Sequence, residues 1–287
     1  MTTAVSILIA AVTFGTWNGQ WFPSGRAEHR ASPEVEARTI AAAGRMLREG
    51  LSRVDPAGTN DIVLCLNEIR GPKEARALCE ATGITNLRVA VVTGYRRRDR
   101  FDQQQDVIAT TLPVVDASWS RWKVAGPKTP PRGYAKARIL FSPTVTATVY
   151  AVHLKSNYGQ TNDDMAYTNR VKRALAAGQL IEQERPRRGE RASTVVVAGD
   201  FNADRWGGGA DVDTLFVPFA EAGFANALEQ LPASERATHP SRNRRWRDSA
   251  LDYIMHRGLS PTRLPVIVPA KGLSDHNPVF VPLEAAR

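Results

Sequence analysis

Cysteine is scarce in this sequence, with only Cys65 and Cys79 among 287 residues. Cys65 lies in an apolar strand pattern and Cys79 in a helical one, and two such thiols are typical of a reduced protein rather than a disulfide scaffold. The sequence also has no Cys-x-x-Cys or His-x-x-x-His pair, so no local spacing indicates a zinc site. The Gly-x-x-x-x-Gly-Lys-Ser/Thr phosphate loop and the Gly-x-Ser-x-Gly elbow are missing too, which argues against P-loop nucleotidases and serine hydrolases.

Long apolar runs are equally rare. The segment 4–14 is apolar, but it has no preceding basic region and is too short to span a bilayer. Because it continues directly into Gly15-Thr16-Trp17-Asn18, we expect a first strand rather than an export signal. A secreted protein from which the export signal has been cleaved is the alternative. The sequence therefore favours a cytoplasmic over a secreted protein and predicts no stable membrane association.

Positive charge is in excess, with 38 Lys and Arg against 29 Asp and Glu, a formal net charge of +9 and a pI of about 9.9. Such a surface favours polyanionic partners, above all nucleic acid, although a solvated arginine-rich surface would give the same balance. A chain of 287 residues buries about 75% of its unfolded surface and needs no disulfide or metal staple. With no repeat and no linker, residues 1–287 are expected to form a single, monomeric domain.

Strand patterns outnumber helical ones along the chain. Short loops and a hairpin at 134–152 favour an α/β protein with two mostly antiparallel sheets packed face to face and helices outside. The predicted helices are 33–51, 72–82, 163–184 and 213–222. The segment 119–133 is rich in Pro, Lys and Trp without a period, and we expect a long surface loop there.

The segment Val195–Asn202 combines a buried strand with oxygen-rich side chains. Four apolar residues precede Gly199, and Asp200 and Asn202 then follow two residues apart, which places both side chains on one side of an extended segment. This arrangement is suited to a hard cation or an attacking water. A turn that merely caps the strand would use the same residues, and this segment alone supports both interpretations equally.

Similar polar residues lie at the ends of other apolar strands. They comprise two amides, four carboxylates and two histidines, namely Asn18, Glu68, His153, Asp200, Asn202, Asp252, Asp275 and His276. Each alone would be read as a structural cap. Together they match metal-assisted phosphoryl chemistry, because carboxylate and amide oxygens suit Mg²⁺ or Mn²⁺ and imidazoles move protons or stabilise charge.

These residues lie in short motifs that resemble the endonuclease/exonuclease/phosphatase superfamily, in its deoxyribonuclease I and exonuclease III-like branches. The motifs occur in the family's order as Thr16-Trp17-Asn18, Leu66-Asn67-Glu68, His153-Leu154-Lys155-Ser156, Gly199-Asp200-Phe201-Asn202, Leu251-Asp252-Tyr253 and Ser274-Asp275-His276-Asn277-Pro278-Val279. The resemblance implies a four-layered α/β/β/α sandwich with the site at one end of the paired sheets.

The resemblance also implies roles for the metal-site residues. Glu68 would be the principal ligand of Mg²⁺ or Mn²⁺, with Asn18 and Asp275 in or near the shell of the ion. The residue before the metal glutamate is Asn67 where the family usually has Gln. This shorter amide puts a supporting contact in doubt but not the ligand itself.

The resemblance assigns five catalytic residues for attack of water in line with the leaving oxygen. Asp200 would orient or deprotonate the water, and Asn202 would hold the water or the phosphate. Asp252 would fix and polarise His276, while His153 would stabilise the transition state or assist the leaving oxygen.

Substrate contacts are expected from Lys155 and Asn157, next to His153, and from a basic loop before Asp252. This loop contains Arg245 and Trp246, and an arginine beside an aromatic ring suits phosphate contact with base stacking. Trp206, four residues after Asn202, is expected to do the same.

Three functional hypotheses follow from these patterns. The first is a nuclease that depends on Mg²⁺ or Mn²⁺ and hydrolyses DNA, with RNA as a possible second substrate. It would be either an endonuclease or an exonuclease. The second is a phosphatase or a sphingomyelinase-like phospholipase C acting on a small or lipid phosphate ester. The third, an inactive binding module, is disfavoured because all eight site residues are retained. The segment Leu251-Asp252-Tyr253 lacks the Trp-x-Asp-Arg element of inositol phosphatases, which lowers that option.

Overall fold

The computed structural model describes residues 11–25, 30–97, 100–124, 126–142, 144–157, 163–190, 192–207, 214–241 and 247–285. Four α-helices occur in the described chain, α1 Pro33–Val54, α2 Pro72–Ala81, α3 Asp163–Gln183 and α4 Phe216–Glu221. The strands are β1 Val12–Phe22, β2 Asp61–Ile69, β3 Arg88–Val92, β4 Arg96–Arg97, β5 Arg100–Phe101, β6 Gln105–Thr110, β7 Val114–Arg121, β8 Gly133–Ser142, β9 Val145–His153, β10 Thr194–Asp200, β11 Ala225–Asn226, β12 Asp252–Arg257, β13 Leu259–Pro261, β14 Val266–Ile267 and β15 Val279–Ala285.

Two sheets contain most of these strands. The first has the order β13-β15-β1-β2-β6-β3, with β14 added to β15, and the second has the order β11-β12-β10-β9-β8-β7. Each sheet has one parallel pair near its centre, β1 with β2 and β9 with β10, and its other pairs are antiparallel. The prediction of mostly antiparallel sheets is therefore confirmed.

The sheets pack face to face and the helices cover their outer faces. Phe14 and Cys65 of the first sheet share one buried cluster with Val149 and Val197 of the second. Helices α1 and α2 pack on the outside of the first sheet, where Leu47 belongs to a second cluster. Helices α3 and α4 cover the second sheet, which completes the expected α/β/β/α sandwich. No helix among the described residues is long and apolar enough to cross a membrane.

The long surface loop predicted at 119–133 is partly wrong. Residues Val114–Arg121 form the edge strand β7, which pairs with β8 from Val114↔Ile139 to Arg121↔Gly133. This strand is exposed along most of its length, so it lacks the alternation of buried and exposed residues that identifies a strand in a sequence. Both cysteines are buried and unpaired, as expected.

Candidate active site

The register of the sheets brings the ends of six motifs to one edge of the sandwich. In the first sheet Asn18 is paired with Asn67, directly before Glu68. In the second sheet Asp200 is paired with His153 on one side and Asp252 on the other. The carboxyl ends of the two parallel pairs thus meet, and the polar residues that follow four apolar strands converge there.

Asn18 links the two sheets across the site. Its amide nitrogen lies 2.9 Å from Asp200 Oδ2 and 3.3 Å from Glu68 Oε1, and its Oδ1 accepts from the main-chain N–H of Gln20 at 2.9 Å. The nitrogen of this amide therefore faces the carboxylates in the structure. Asn18 holds the two acidic groups together, and all three side chains are nearly or fully buried.

The main chain around Glu68 adopts conformations that L-residues avoid. Glu68, Gln20, Trp21 and Asn202 have φ angles of 56°, 50°, 60° and 51°. Left-handed conformations of this kind cost of order 1–3 kcal/mol each and are often found where a site over-determines the backbone. At Glu68 the reason is visible, because Trp21 N–H donates to Oε2 at 3.1 Å and fixes the carboxylate.

His276 and Asp252 form a buried ion pair. The Nδ1 of His276 lies 2.7 Å from Asp252 Oδ2, and Thr238 Oγ1 donates to the same oxygen at 2.8 Å. Burial alone would lower the pKa of His276, but the carboxylates of Asp252 and Asp200 outweigh it and raise that pKa to about 10. The imidazole is therefore charged at neutral pH.

Asp200 lies between the two histidines. Its Oδ2 is 3.6 Å from His153 Nε2 and 3.9 Å from His276 Nε2. Burial raises the pKa of this carboxyl to about 7, against the effect of the His276 charge. Asn202 donates to Asp200 from both its main-chain N–H, at 2.8 Å, and its side-chain amide, at 3.0 Å.

His153 differs from His276 in its charge state. It is buried with its Nε2 3.7 Å from Glu68 Oε1, beyond hydrogen-bond distance. Burial lowers the pKa of His153 well below its usual value, and the charges of Arg132 and His276 add to this effect. A neutral imidazole therefore stands opposite a charged one.

The Asn67 side chain supports the strand that carries Asp200. It accepts from the Asp200 main-chain N–H at 3.0 Å and donates to Asp106 Oδ1 at 2.7 Å. A Cβ on Gly199, with φ of 143°, would lie 1.9 Å from Val152 O and 3.0 Å from the Asn67 side-chain oxygen. The shorter amide at position 67 thus makes a close inter-sheet contact that only a glycine opposite it permits.

Helix α3 holds the segment that follows His153. Arg173 donates to Lys155 O at 2.6 Å and to Asn157 Oδ1 at 3.3 Å, and Asn169 donates to Ser156 O at 3.1 Å. Lys155 and Asn157 follow His153 in the sequence, and their role as substrate contacts stays a prediction. The Asn157 oxygen is already engaged by Arg173.

Two other expected substrate contacts lie outside the described residues, namely Arg245 and Trp246. Trp206 is described and half-buried, and the guanidinium of Arg236 covers its ring at 4.4 Å from the centroid. Its ring also packs against Tyr253, with centroids 6.1 Å apart. The face of Trp206 under Arg236 is therefore not free to stack on a base in this conformation.

Arg132 was not among the residues expected at the site. This half-buried side chain lies within the segment 119–133 that was expected to be a loop, and it has a φ of 64°. Burial lowers the pKa of both Lys155 and His153, and the charge of Arg132 lowers both further. The only sequence signal was its place directly before β8, whose partner β9 ends at His153.

Asp275 lies at the more exposed rim of the site. Gln20 Nε2 donates to its Oδ2 at 2.8 Å, and the Asp275 main-chain N–H donates to Gln20 Oε1 at 3.1 Å. Asp275 and Glu68 therefore flank the same left-handed segment of β1. Their carboxylate oxygens form the kind of hard donor set that Mg²⁺ and Mn²⁺ prefer, so the residues present fit such an ion.

A family model described as the endonuclease/exonuclease/phosphatase family matches residues 15–276. None of the curated proteins matches the chain. Among solved structures, an endonuclease/exonuclease/phosphatase from Beutenbergia cavernae is similar, with a TM-score of 0.64, 16% identity, and coverage of 96% of this chain and 72% of that one.

Two further structures show the same fold. D. rerio TDP2 in complex with a single-strand DNA product has a TM-score of 0.61 and 15% identity, over 96% of this chain and 99% of that one. Sphingomyelinase C from Streptomyces griseocarneus has a TM-score of 0.56 and 17% identity, over 95% and 99%. At these identities the likeness concerns the fold.

Proposed function

The chain belongs to the endonuclease/exonuclease/phosphatase family, and from this we propose that it is a divalent-metal-dependent nuclease that hydrolyses DNA phosphodiesters. Members of the family are hydrolases of phosphate esters that depend on a divalent metal. The observation that carries the proposal is the convergence of Glu68, Asp200 and His276 at one edge of the two sheets.

Glu68, Asp275 and Asn18 would hold Mg²⁺ or Mn²⁺. When bound, such an ion neutralises charge on the phosphate and polarises it for attack. Asn18 keeps Glu68 and Asp200 about 3 Å from one amide, so the ligand and the group that handles water are positioned together. Coordination by Asn18 itself would require its amide to turn, because the nitrogen now faces the carboxylates.

Asp200 and Asn202 would orient the attacking water. A carboxyl with a pKa near 7 is suited to accept a proton at neutral pH, because general bases are most effective when their pKa lies near the working pH. The two donations from Asn202 fix the Asp200 carboxylate in place. Positioning of this kind lowers the entropic part of the barrier.

His276 and His153 would act on the phosphate oxygens. A charged His276, held through Nδ1 by Asp252, presents a positive Nε2 for the charge that develops in the transition state. His153, neutral and buried, would donate a hydrogen bond to the phosphate or the leaving oxygen without the cost of a second buried cation.

A nucleic acid is the favoured substrate because of the charge around the site. The chain has a net charge of +9, and Arg132 and Lys155 lie close enough to influence the titration of His153. Cationic side chains beside the reacting phosphate suit a polyanion more than a neutral lipid headgroup. A small phosphate ester or sphingomyelin remains the alternative substrate class.

A plasmid-nicking assay with Mg²⁺ or Mn²⁺ tests the proposal, with sphingomyelin vesicles and bis(p-nitrophenyl) phosphate as parallel substrates. We expect the wild-type protein to convert supercoiled plasmid to open-circular or linear DNA, and His276→Ala to lose at least about 100-fold in rate. Asp116→Asn, an exposed carboxylate on β7, is the matched control.

Absence of plasmid cleavage with both Mg²⁺ and Mn²⁺ would reject the nuclease proposal. Turnover of sphingomyelin alone would transfer it to the phospholipase alternative. Equal rates for wild type and His276→Ala would reject the assignment of the catalytic residues.

A further inference from the structure

Three side chains with metal-binding atoms converge at the rim of the site, His239, Asp275 and His276. One ligand atom from each lies within 4.8 Å of the other two. His239 Nε2 is 3.8 Å from Asp275 Oδ2, and His276 Nε2 is 3.9 Å from Asp275 Oδ1. The two imidazole rings lie edge to face, with centroids 4.9 Å apart.

The outer contacts of this cluster match those of known zinc sites. A histidine that binds zinc usually donates its second ring N–H to a carboxylate, which fixes the ring. His276 has this arrangement, with Nδ1 2.7 Å from Asp252 Oδ2, while its Nε2 lies 3.9 Å from both Asp275 Oδ1 and Asp200 Oδ2. Asp275 is held in place as well, because Gln20 Nε2 donates to it at 2.8 Å.

The main chain fixes His239 from its other side. Its N–H donates to Ser249 O at 2.9 Å, and Ser249 N–H donates back to His239 O at 3.1 Å. The imidazole therefore projects from a paired segment rather than from a free loop. About one third of the His239 side chain and a similar part of Asp275 are exposed, which leaves a route for an ion and room for a water.

Two imidazoles and one carboxylate form the three-ligand set that binds zinc with one open position. Bonds of about 2.0–2.2 Å in a tetrahedral site separate ligand atoms by roughly 3.4 Å. The 3.8 and 3.9 Å separations involve the two different oxygens of Asp275, and the single ligand atoms of the three residues lie up to 4.8 Å apart. To bind an ion, these atoms must approach by roughly half to one and a half ångströms, through rotation of the partly exposed His239 and Asp275 side chains. Imidazole nitrogen favours Zn²⁺ over the hard ions Mg²⁺ and Ca²⁺.

We propose that His239, Asp275 and His276 form a zinc site whose occupancy inhibits the enzyme. The ion binds the Nε2 lone pair of His276, whose proton passes to solvent, and the carboxylate of Asp275. The proposed reaction uses both groups, His276 toward the phosphate and Asp275 toward Mg²⁺ or Mn²⁺, so zinc inhibits by occupying them. The zinc site stands on its own geometry, whereas the inhibition rests on the proposed function.

The binding test uses Co²⁺, a spectroscopic substitute for Zn²⁺, added to the full-length protein in excess Mg²⁺. We expect visible absorption bands of four-coordinate Co²⁺, saturation at one ion per chain and loss of the bands when Zn²⁺ is added. His239→Asn should weaken binding by about 100-fold or more, since it removes a direct ligand and even supporting residues account for 10–100-fold. Asp248→Asn, in the neighbouring segment, controls for disturbance of this region, and His239→Gln replaces His239→Asn should that variant fail to fold.

The inhibition test measures phosphodiester hydrolysis in excess Mg²⁺ while Zn²⁺ is raised. We expect the wild type to be inhibited and His239→Asn to need at least tenfold more Zn²⁺, with Mg²⁺-only rates within about twofold of each other. Equal Co²⁺ affinity in wild type and His239 variants would overturn the zinc site, and equal Zn²⁺ inhibition would overturn its regulatory effect. A protein that binds Co²⁺ as described but hydrolyses no phosphodiester would contradict the proposed function and leave the zinc site standing.

Discussion

Replacement of Asp252 by Asn removes one charge and almost no volume from the centre of the site. Asp252 is fully buried, so no solvent replaces the lost carboxylate. The Thr238 hydroxyl can still donate to the Asn side-chain oxygen, as it now donates to Asp252 Oδ2. The change therefore acts mainly on His276, whose Nδ1 loses its anionic partner at 2.7 Å.

The magnitude follows from the charge state of His276. With Asp252 present its pKa is about 10, so the imidazole is fully charged at pH 7. Without it, a return to the reference pKa of 6.5 would leave about a quarter of the molecules charged at pH 7; burial lowers that fraction, and the Asp200 carboxylate raises it. Loss of orientation adds to this effect, and we expect kcat to fall by about 10²–10⁴-fold, the range typical of a misplaced acid or base.

The assay is Mg²⁺-dependent hydrolysis of plasmid DNA and of bis(p-nitrophenyl) phosphate from pH 5 to 9, with Asp116→Asn as the control. The ratio of variant to wild-type activity should rise towards acidic pH, where the imidazole of the variant is charged again, whereas protonation of Asp200 lowers both rates. Thermal unfolding would verify that the variant is folded. A folded variant with kcat within threefold of the wild type, or with an unchanged pH profile, would refute the coupling of Asp252 to His276.

Three further predictions concern metal, packing and pH. Glu68→Gln should abolish the thermal stabilisation by Mg²⁺ and cost at least about 100-fold in rate; an unchanged melting shift would contradict the ligand role. Gly199→Ala should destabilise by more than about 2 kcal/mol in urea unfolding, because its Cβ would lie 1.9 Å from Val152 O, whereas Gly178→Ala in α3, with open space around it, should not. In EDTA, the ion pair of His276 and Asp252 should raise the free energy of unfolding of the wild type relative to His276→Gln. This difference should be fully present below pH 6.5, fall by at most about 1.4 kcal/mol per pH unit above it, and be lost as pH rises through about 10. A difference that does not change with pH would contradict the prediction.

The strands and their polar ends could be predicted because local sequence determines them. A run such as Val195–Ala198 identifies a buried strand without knowledge of its partners, and the following Asp200 is then placed at the edge of a sheet. Short loops and the hairpin favoured two sheets packed face to face, and the resemblance placed the site at one end of them. Strand β7 escaped detection because an exposed edge strand has no buried face to impose a pattern on its sequence.

Groups that act through long-range charge could not be predicted in this way. Arg132 influences His153 and Lys155 only because β8 lies beside β9, and Asp106 meets Asn67 only across two antiparallel strands. Neither residue has a local pattern. The place of His239 in the loop before Asp252 made it a candidate for substrate contact, but its approach to Asp275 depends on how its segment folds, with Asn277 N–H donating to Thr238 O at 2.6 Å.

The two site histidines show how the folded surroundings, rather than the local sequence, determine the charge of a side chain. The local sequence patterns of His153 and His276 are alike, since each follows or precedes an apolar strand, and only the resemblance assigns them different roles. In the folded chain His276 has a carboxylate 2.7 Å from Nδ1 and is charged, whereas His153 has its nearest carboxylates 3.6 and 3.7 Å away and is neutral. Two buried imidazolium ions at one phosphate would repel each other, so the fold charges one and leaves the other as a neutral donor. A second carboxylate placed against His153 should therefore reduce activity rather than increase it, because it would charge both rings.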